Sequence, residues 1–385
     1  MNFVEVKYQP ERSKVYLGSP SLVRLPDGAL LCSHDYFGEL KTLEGDIGLS
    51  SIYRSEDDGQ TWDNITHIIN AVWGNLFVVK DAVYLISMTR EHGDIAIRKS
   101  VDGGFTWSIP KRGCGILLDG PKNQEKPEFR LETSGMGGIF NGRLYKAYDK
   151  FTYHYENLQT DACPISWCPD FFSAYVMSAS LEDDLLDPRS WTHSNPVPFD
   201  KRLSDIAPET FKPGSGWLEG TIVKAPDGKM VDISRIHSYS LNKAAYMTLS
   251  DDGSKLEFDC RTGIIDFPSS PSRFLIMQDP RTGLYITFSN PQRHLTADDI
   301  SNRNILTMCV SDDLRHWREV KDVITDDTGL SPSMSVRLTG FQYNSWLFDG
   351  DDILLLSRMG YRGAHNYHDS NRIGFFRFKN FRSWI

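Results

Sequence analysis

Short hydrophobic stretches recur along this chain, and a tight polar turn interrupts each of them. They lie at 21–35, 76–89, 221–236 and 343–358. In each, a short apolar run leads into a turn such as Pro-Asp-Gly or Asp-Gly-Asp-Asp, and a second apolar run follows. Apolar runs separated by Asp and Gly are typical of two antiparallel strands joined by a hairpin turn. The pattern therefore predicts an all-β protein.

A second pattern is a phrase that occurs twice, as SEDDGQTW at 55–62 and SVDGGFTW at 100–107. Both copies fit Ser-x-Asp-x-Gly-x-Thr-Trp. The Asp and Gly close a turn, the hydroxyl groups bond to nearby backbone, and the Trp fills the space between units. The phrase resembles the Asp-box of sialidase-like β-propellers, which lies on the hairpin between the two outer strands of a blade. This resemblance implies an architecture and no particular chemistry.

Weaker copies of the phrase follow at 186–191, 250–258 and 311–317. Pairing each inner hairpin with the Asp-box-like hairpin after it gives six units, which predicts a β-propeller of four-stranded blades. The strand at 3–8 is expected to complete the last blade and close the ring. A seventh blade is the alternative, if the segment between Trp107 and Trp191 contains one. We interpret 1–385 as a single propeller domain with an insertion at about 121–172.

Composition excludes several classes of partner. The 385 residues carry a net charge of −9, which argues against a nucleic-acid or anionic-membrane partner. No apolar run approaches the length of a membrane span, and the N-terminus lacks the apolar core of a signal peptide. We expect a cytoplasmic protein, or a secreted one if a leader has been removed. No motif predicts a cofactor.

The six cysteines are scattered along the chain, and only Cys163 and Cys168 are close together. Their spacing fits neither a zinc site nor a redox Cys-x-x-Cys motif. We therefore expect free, mostly buried thiols. A local disulfide between these two residues is the alternative.

Ligands of propellers usually bind over the central channel, where the inner strands converge. His34 and Asp35 end the second strand of the first hairpin. A histidine there has a pKa suited to a general acid or base. The alternative is a histidine that caps a turn together with Asp35.

Aromatic and polar side chains open two other inner hairpins, as Trp73 with Asn75 and as Trp217 with Glu219. A sugar stacks its apolar face on a ring and bonds its hydroxyls to polar groups, so these four residues are candidates for substrate binding. The alternative is that the tryptophans fill the space between blades.

Three arginines stand in otherwise apolar strands: Arg235, Arg273 and Arg358. Arginine is rarely buried unless it is paired, so each requires an internal carboxylate or an anionic ligand. A sugar that carries a carboxylate would satisfy several at once, because guanidinium binds carboxylate through two parallel hydrogen bonds. The internal alternatives are nearby aspartates, namely Asp349, Asp351 and Asp352.

The segment 362–372 leads into the last strand and contains His365, Asn366, His368 and Asp369. Two histidines and a carboxylate on a loop more often form a hydrogen-bonded entrance than a metal site. We predict substrate contacts from His365 and Asn366, and no metal.

Taken together, these residues resemble the sialidase-like, or BNR-repeat, family and within it the propellers that cleave rhamnosyl-glucuronate linkages. The resemblance runs from about Tyr16 to Arg382. Its phrases include GWLEGTIVKAPDG, IIDFPSSPSRF and GFQYNSWLFDGDDILLLSR, the last of which adds Gln342, Tyr343 and Trp346 to the substrate-binding set. The resemblance implies an enzyme that acts on an oligosaccharide or larger glycan and removes a terminal sugar next to a uronic acid by β-elimination.

Elimination requires that the carboxylate of the uronate be neutralised, for which Arg235 or Arg358 is the candidate. A base then removes the C5 proton and an acid protonates the leaving oxygen, roles that we assign to His34 and His368. No metal is needed in this mechanism.

Two alternatives remain. An exo-acting hydrolase of the sialidase type needs three arginines around one carboxylate, a Tyr nucleophile with a Glu partner, and an Asp acid. Arg235, Arg273 and Arg358 would supply the arginines, and Glu219 with Tyr343 the nucleophilic pair, although the Arg-Ile-Pro phrase of sialidases is absent. The other alternative is a glycan-binding propeller without catalysis.

Overall fold

The computed structural model describes residues 1–38, 47–122, 128–133, 135–152, 169–211, 214–237, 242–269, 271–293 and 302–385. These residues form six sheets, each of which is one blade of a propeller, and all their strand pairs are antiparallel except one short pair in the second sheet. Blade 1 contains β2 (Tyr16–Leu17), β3 (Ser21–Arg24), β4 (Leu30–Phe37), β5 (Leu49–Ser55) and β6 (Asp63–Ile69). Blade 2 contains β7 (Val72–Val79), β8 (Ala82–Met88), β9 (Ile95–Ser100), β10 (Lys111–Arg112) and β11 (Gly115–Leu118).

Blade 3 contains β12 (Phe129–Glu132), β13 (Gly137–Phe140), β14 (Arg143–Thr152), β15 (Phe172–Ser180), β16 (Trp191–His193) and β17 (Val197–Pro198). Blade 4 contains β18 (Gly216–Lys224), β19 (Met230–His237), β20 (Lys243–Leu249), β21 (Leu256–Phe258) and β22 (Ile264–Asp266). Blade 5 contains β23 (Ile276–Gln278), β24 (Tyr285–Ser289), β25 (Ile305–Ser311) and β26 (Trp317–Thr325). Blade 6 contains β27 (Gly340–Asp349), β28 (Asp352–Gly360), β29 (Arg372–Phe378) and β1 (Val4–Tyr8).

The blades follow one another around the ring in chain order. Six of the hydrophobic clusters in the described part of the chain each join two neighbouring blades, and the last of these junctions joins blade 6 to blade 1. Strand β1 from the N-terminus pairs with β29, so the ring closes as expected. The predicted six-bladed propeller is confirmed, and the described residues between Trp107 and Trp191 belong to blades 2 and 3.

Both full copies of the Asp-box lie between outer strands. In the first copy the Asp57 carboxylate accepts hydrogen bonds from the backbone N–H of Thr61 at 2.9 Å and from its hydroxyl at 2.7 Å. Trp62 packs against Phe375 of blade 6, with ring centroids 5.4 Å apart. The copy at 100–107 makes the same Asp-to-Thr bonds. The phrase therefore closes a turn and fills a blade junction, as its residue types predict.

Helices are short in the described residues. Two α-helices occupy Arg202–Ile206 and Pro332–Leu338, and four 3₁₀ turns occupy Glu11–Ser13, Pro169–Phe171, Pro188–Ser190 and Phe381–Trp384. None of the helices in this part of the chain has the length and apolar character that crossing a membrane requires. Cys32, Cys114, Cys260 and Cys309 are free thiols. The expected alternative of a Cys163–Cys168 disulfide lies outside the described residues. The described part of the segment 121–172, which we expected to be an insertion, supplies strands β12, β13 and β14 of blade 3.

Candidate active site

A cavity of about 760 Å³ lies where the inner strands begin. All six blades contribute to its wall, which places it on the central axis. Its lining consists of Gly18, Ser19, Asp35, Tyr36, Phe37, Gly38, Val72, Trp73, Glu91, Glu132, Leu218, Glu219, Arg235, His237, Arg303, Tyr343, Arg358 and His368.

Three side chains enter this cavity from β-bulges in inner strands. Trp73, Glu219 and Tyr343 each have a left-handed backbone, with φ of 52°, 58° and 53°. The pairing register of β7, β18 and β27 shifts at these positions. A left-handed conformation costs roughly 1–2 kcal/mol for a residue with a side chain. A bulge re-aims a side chain, so this cost is consistent with a functional position.

Tyr343 and Glu219 meet at the centre of the cavity. The phenolic hydroxyl of Tyr343 donates a hydrogen bond to Oε1 of Glu219 at 2.9 Å. Nη1 of Arg235 donates to Oε2 of the same carboxylate at 2.5 Å. The backbone N–H of Glu219 donates to Oδ2 of the buried Asp149 at 2.8 Å, which anchors the bulge.

The charges around this pair favour a carboxylate beside a neutral phenol. Burial acts to raise the pKa of Glu219, but Arg235 and the neighbouring cations hold it below its ordinary value. Burial, followed by the charge of Glu219, raises the pKa of Tyr343. Glu219 is therefore an ionised acceptor, in hydrogen-bond contact with the proton of Tyr343.

Three further guanidinium groups surround the Tyr343 ring. Their Cζ atoms lie 4.9, 5.9 and 4.7 Å from the ring centroid for Arg273, Arg303 and Arg358, respectively. Arg273 also donates to the backbone carbonyl of Tyr343 at 2.9 Å. Together with Arg235, four guanidinium groups lie around this phenol, whose one carboxylate partner is Glu219. Arg235, Arg303 and Arg358 line the cavity, whereas Arg273, also chosen from sequence, is buried and does not line it. This local concentration of positive charge suits an anionic ligand.

Arg358 is held by neutral groups. It donates to the carbonyl of His368 at 2.6 Å and to the Ser370 hydroxyl at 3.2 Å, and its guanidinium packs 4.6 Å from the Phe37 ring centroid. Arg358 forms no ion pair with any carboxylate of the described residues. The internal partners proposed from sequence are occupied elsewhere, because Asp349 and Asp352 bind Arg377 and Asp351 binds Arg281 and Arg382.

Asp35 of blade 1 lies across the propeller axis from Glu219 of blade 4. Oδ1 of Asp35 accepts a hydrogen bond from the backbone N–H of Ser19 at 2.9 Å. A Cβ atom at Gly18 would lie 2.3 Å from Oδ2, so only glycine leaves room for this carboxyl group. Burial raises the pKa of Asp35 to about 6, although the charge of Arg358 opposes the shift.

Several residues chosen from sequence do not line the cavity. His34 points away from it and stacks on Tyr53 with centroids 5.4 Å apart, and burial lowers the pKa of His34 to about 4. Trp217 is fully buried between blades 3 and 4, where its indole N–H donates to the Val197 carbonyl at 3.0 Å. This placement corresponds to the alternative in which the tryptophan fills the space between blades.

Other candidates lie deeper in the channel or on its rim. Asn75 and Trp346 line a second cavity of about 350 Å³ along the inner strands. Gln342 is fully buried and bonds to Arg303 and to the Tyr367 carbonyl. These three side chains support the channel wall and do not contact the main cavity.

The loop after β28 forms a hydrogen-bonded entrance. Nδ1 of His365 lies 2.7 Å from Oδ2 of Asp369, and Nδ1 of His368 lies 3.0 Å from Oδ1. Asn366 also donates to Asp369, at 2.9 Å. Of these side chains only His368 lines the cavity, and burial together with Arg358 lowers its pKa to about 4. Among the described residues no group of three or more His, Cys, Asp or Glu side chains is arranged to hold a metal ion.

Arg303, His237 and Glu132 also line the cavity, although they were not predicted from the sequence. Arg303 precedes the apolar strand β25, so the signal used for the other arginines would have found it. His237 ends β19 beside Arg235, and burial followed by the Arg235 charge lowers its pKa to about 3. Glu132 lies within the segment that was interpreted as an insertion, and no local pattern marks it.

Solved structures of similar architecture cover nearly the whole chain. They include an α-L-arabinanase of Penicillium chrysogenum complexed with arabinobiose, with 14% identity, 98% of each chain covered and a TM-score of 0.59. The α-L-arabinofuranosidase Arb93A of Fusarium graminearum matches with 14% identity, 98% of each chain and a TM-score of 0.62. Trypanosoma rangeli sialidase matches with 13% identity over 98% of this chain and 59% of its own, with a TM-score of 0.57.

This chain has their fold. At 13–14% identity the similarity concerns the fold alone. No protein-family model matches the sequence, and no curated protein matches it. The finer resemblance, to propellers that cleave rhamnosyl-glucuronate linkages, stays a prediction.

Proposed function

We propose that this chain is an exo-acting glycoside hydrolase of the sialidase type, which removes a terminal sugar that carries a carboxylate. The observation that supports the proposal is the Tyr343–Glu219 hydrogen bond at the centre of four arginines. This arrangement matches the hydrolase alternative drawn from the sequence more closely than the elimination hypothesis, because His34 does not line the cavity.

The arginines supply the binding energy for the carboxylate. Arg358 has no ion-pair partner among the described residues, and Arg303 lines the same part of the cavity. A guanidinium group binds a carboxylate through charge-assisted hydrogen bonds, which are about twice as strong as neutral ones. A neutral arabinose unit would leave Arg358 without an anion, so we favour a sugar acid over the arabinosides of the structural neighbours.

Tyr343 is the nucleophile in this proposal and Glu219 is its base. A phenol is neutral in the ground state, so it approaches an anomeric centre beside a substrate carboxylate without charge repulsion. As attack proceeds, the proton moves to Oε1 of Glu219 along the existing 2.9 Å hydrogen bond. Arg235 stabilises the carboxylate before transfer and orients it. Water then hydrolyses the tyrosyl-linked intermediate, so the anomeric configuration is retained.

Asp35 is the proton donor to the leaving oxygen. Its carboxyl group lines the cavity across the propeller axis from Glu219. Its pKa of about 6 keeps a fraction of this carboxyl group protonated near neutral pH. A general acid works best when its pKa lies close to the working pH.

The test is a substrate panel with three readouts. Fluorogenic 4-methylumbelliferyl glycosides of N-acetylneuraminate, D-glucuronate and L-arabinofuranose report hydrolysis. Rhamnose-capped glucuronate oligosaccharides report elimination through the ultraviolet absorbance of an unsaturated uronate. We expect release from an acidic glycoside without this absorbance. Release from the arabinofuranoside alone would contradict the role of the arginines, and absorbance with released rhamnose would establish the lyase instead.

A further inference from the structure

The wall opposite Arg303 and Arg358 carries acidic and aromatic groups. In a ring of six blades, blade 3 faces blade 6 across the axis and blade 2 faces blade 5. Glu132 of blade 3 therefore lies across the cavity from Arg358, and Trp73 of blade 2 lies across from Arg303. A ligand that spans the cavity meets cations at one end and a carboxyl group beside an indole at the other.

Glu132 is a buried polar group that lines this cavity. It is 7% exposed, and its strand β12 places it directly opposite Asp149 of β14. No hydrogen bond reaches its carboxyl group from the described residues. Nδ1 of His92 is 3.8 Å from Oε1, which is too far for a hydrogen bond, and that ring lies within 3.3 Å of the Leu131 carbonyl.

A buried carboxyl group without a partner is unfavourable, so its presence suggests that a ligand supplies the partner. Burial, followed by the charge of Asp149, raises the pKa of Glu132 well above its ordinary value. A protonated carboxyl group both donates and accepts hydrogen bonds, as a sugar hydroxyl does.

Trp73 supplies an apolar surface beside this group. Its left-handed backbone directs the ring into the cavity, and the Thr133 hydroxyl donates to its carbonyl at 3.0 Å. The His92 ring packs against the indole at 5.6 Å between centroids in an edge arrangement. The indole is thus held in place, which suits stacking against the apolar face of a sugar.

We propose that Glu132 is a specificity-determining residue that binds a free hydroxyl of a sugar acid, on the side of the ring away from the carboxylate that the arginines hold. Trp73 contacts the apolar face of the same ring. The inference rests on the anion-binding part of the proposed function. It names the substrate class as polyhydroxylated sugar acids and disfavours simple carboxylates of the same size.

Calorimetric titration of the full chain tests this with two kinds of probe. The first are the free sugar acids D-glucuronate, D-galacturonate and N-acetylneuraminate, and the second is tetrahydropyran-2-carboxylate, which has the ring and the carboxylate but no hydroxyl. We expect the best sugar acid to bind at least about tenfold more tightly than the simple carboxylate, since a buried hydrogen bond has about this effect. Equal affinities would overturn the inference without any variant.

Two variants locate the effect. Glu132→Met is expected to reduce the affinity ratio to about threefold or less and to leave tetrahydropyran-2-carboxylate within about twofold of its original affinity. Glu132→Gln retains a donor and an acceptor and is expected to retain most of the ratio. Arg358→Met, as a matched control, should weaken both kinds of probe alike. The inference would be overturned if Glu132→Met left the ratio of the two affinities unchanged. It would also be overturned if this variant weakened the binding of both probes equally.

The outcome is separable from that of the proposed function. Binding of a sugar acid that depends on Glu132, without hydrolysis of any glycoside, would reject the hydrolase and support this inference. If the protein hydrolyses an acidic glycoside, but the ratio of its affinities for the sugar acid and the simple carboxylate does not depend on Glu132, the hydrolase is supported and this inference is rejected. Failure of every carboxylate probe to bind would overturn both.

Discussion

Replacing Tyr343 by phenylalanine removes one oxygen atom from the centre of the cavity. The ring stays, with its contacts to Arg273 and Arg358, but Oε1 of Glu219 loses its hydrogen bond. If the phenol is the nucleophile, we expect kcat to fall roughly 10⁴- to 10⁶-fold, the range seen when a member of a catalytic triad is removed. The fold should persist, because one buried hydrogen bond contributes only about 1 kcal/mol.

The assay compares three variants on the best acidic substrate of the panel: Tyr343→Phe, Glu219→Gln and the double variant. Removing a general base alone costs roughly 10²- to 10⁴-fold. Because Glu219 acts through the Tyr343 hydroxyl, the double variant should be no slower than Tyr343→Phe. Nuclear magnetic resonance of the first product should show a retained anomeric configuration.

Tyr285→Phe is the matched control. Its hydroxyl is also part of a buried residue and donates to the Lys224 carbonyl at 2.8 Å, but it lies away from the cavity. It should lose a similar amount of stability and no activity. Tyr343 is not the nucleophile if Tyr343→Phe keeps more than about a tenth of the activity, or if the effects of the two single changes multiply in the double variant.

Three further predictions follow from the same structure. Arg358→Met should raise KM for an acidic glycoside roughly 10- to 100-fold, because a charge-assisted bond to the substrate is lost. It should change the melting temperature little, because the loss of its hydrogen bonds to the His368 carbonyl and the Ser370 hydroxyl is offset by removal of a buried charge that has no ion-pair partner among the described residues. Activity should fall as pH rises above about 6, since Asp35 must be protonated to act as the acid. Asp35→Asn should abolish this decrease at high pH. It should slow the hydrolysis of substrates with poor leaving groups more than that of substrates with activated ones. Gly59→Ala should lower the free energy of unfolding by about 1–3 kcal/mol, in addition to the cost of placing alanine at a positive φ, because the new Cβ would lie 2.2 Å from Phe375.

Each of these has its own check. Arg281→Met, at an exposed ion pair with Asp351 outside the cavity, should leave KM unchanged. An equal rise in KM for this variant would show that the overall charge of the protein decides KM. A pH profile of Asp35→Asn that matches the unmodified protein would assign the acid elsewhere. Gly28→Ala is the control, because φ is 92° at Gly28 and 87° at Gly59, but no atom lies within 4 Å of a Cβ at Gly28. If chemical denaturation shows that both variants are destabilised equally, contact with Phe375 is not the cause at Gly59.

The propeller architecture could be predicted from the sequence because local contacts form its repeated turns. The Asp57 carboxylate bonds to Thr61 only four residues away, and the inner hairpins close through turns of a few residues. Such patterns do not depend on distant parts of the molecule, so the repeat and the hairpins predicted six blades. Closure through β1 also followed, because a ring leaves one strand to complete its last blade.

The site depends on contacts between distant parts of the chain. Glu219 and Tyr343 are 124 residues apart and meet only because blades 4 and 6 face the same axis. The residue types were recognised, and the pair appeared as one alternative, but sequence favoured His34 as the base. In a strand, neighbouring side chains point to opposite faces, so either His34 or Asp35 had to face the cavity, and the sequence does not say which.

By itself, the sequence determined the repeat, the hairpins and three of the four arginines around Tyr343, because each is a local or compositional property. Only the tertiary structure decided which side chains share the cavity. Trp217 and Glu219 would lie on one face of a regular strand, yet the bulge at Glu219 sends one into the core and the other to the axis. Bulges and ring closure depend on neighbouring blades, so the chemistry of this centre is a property of the assembled propeller.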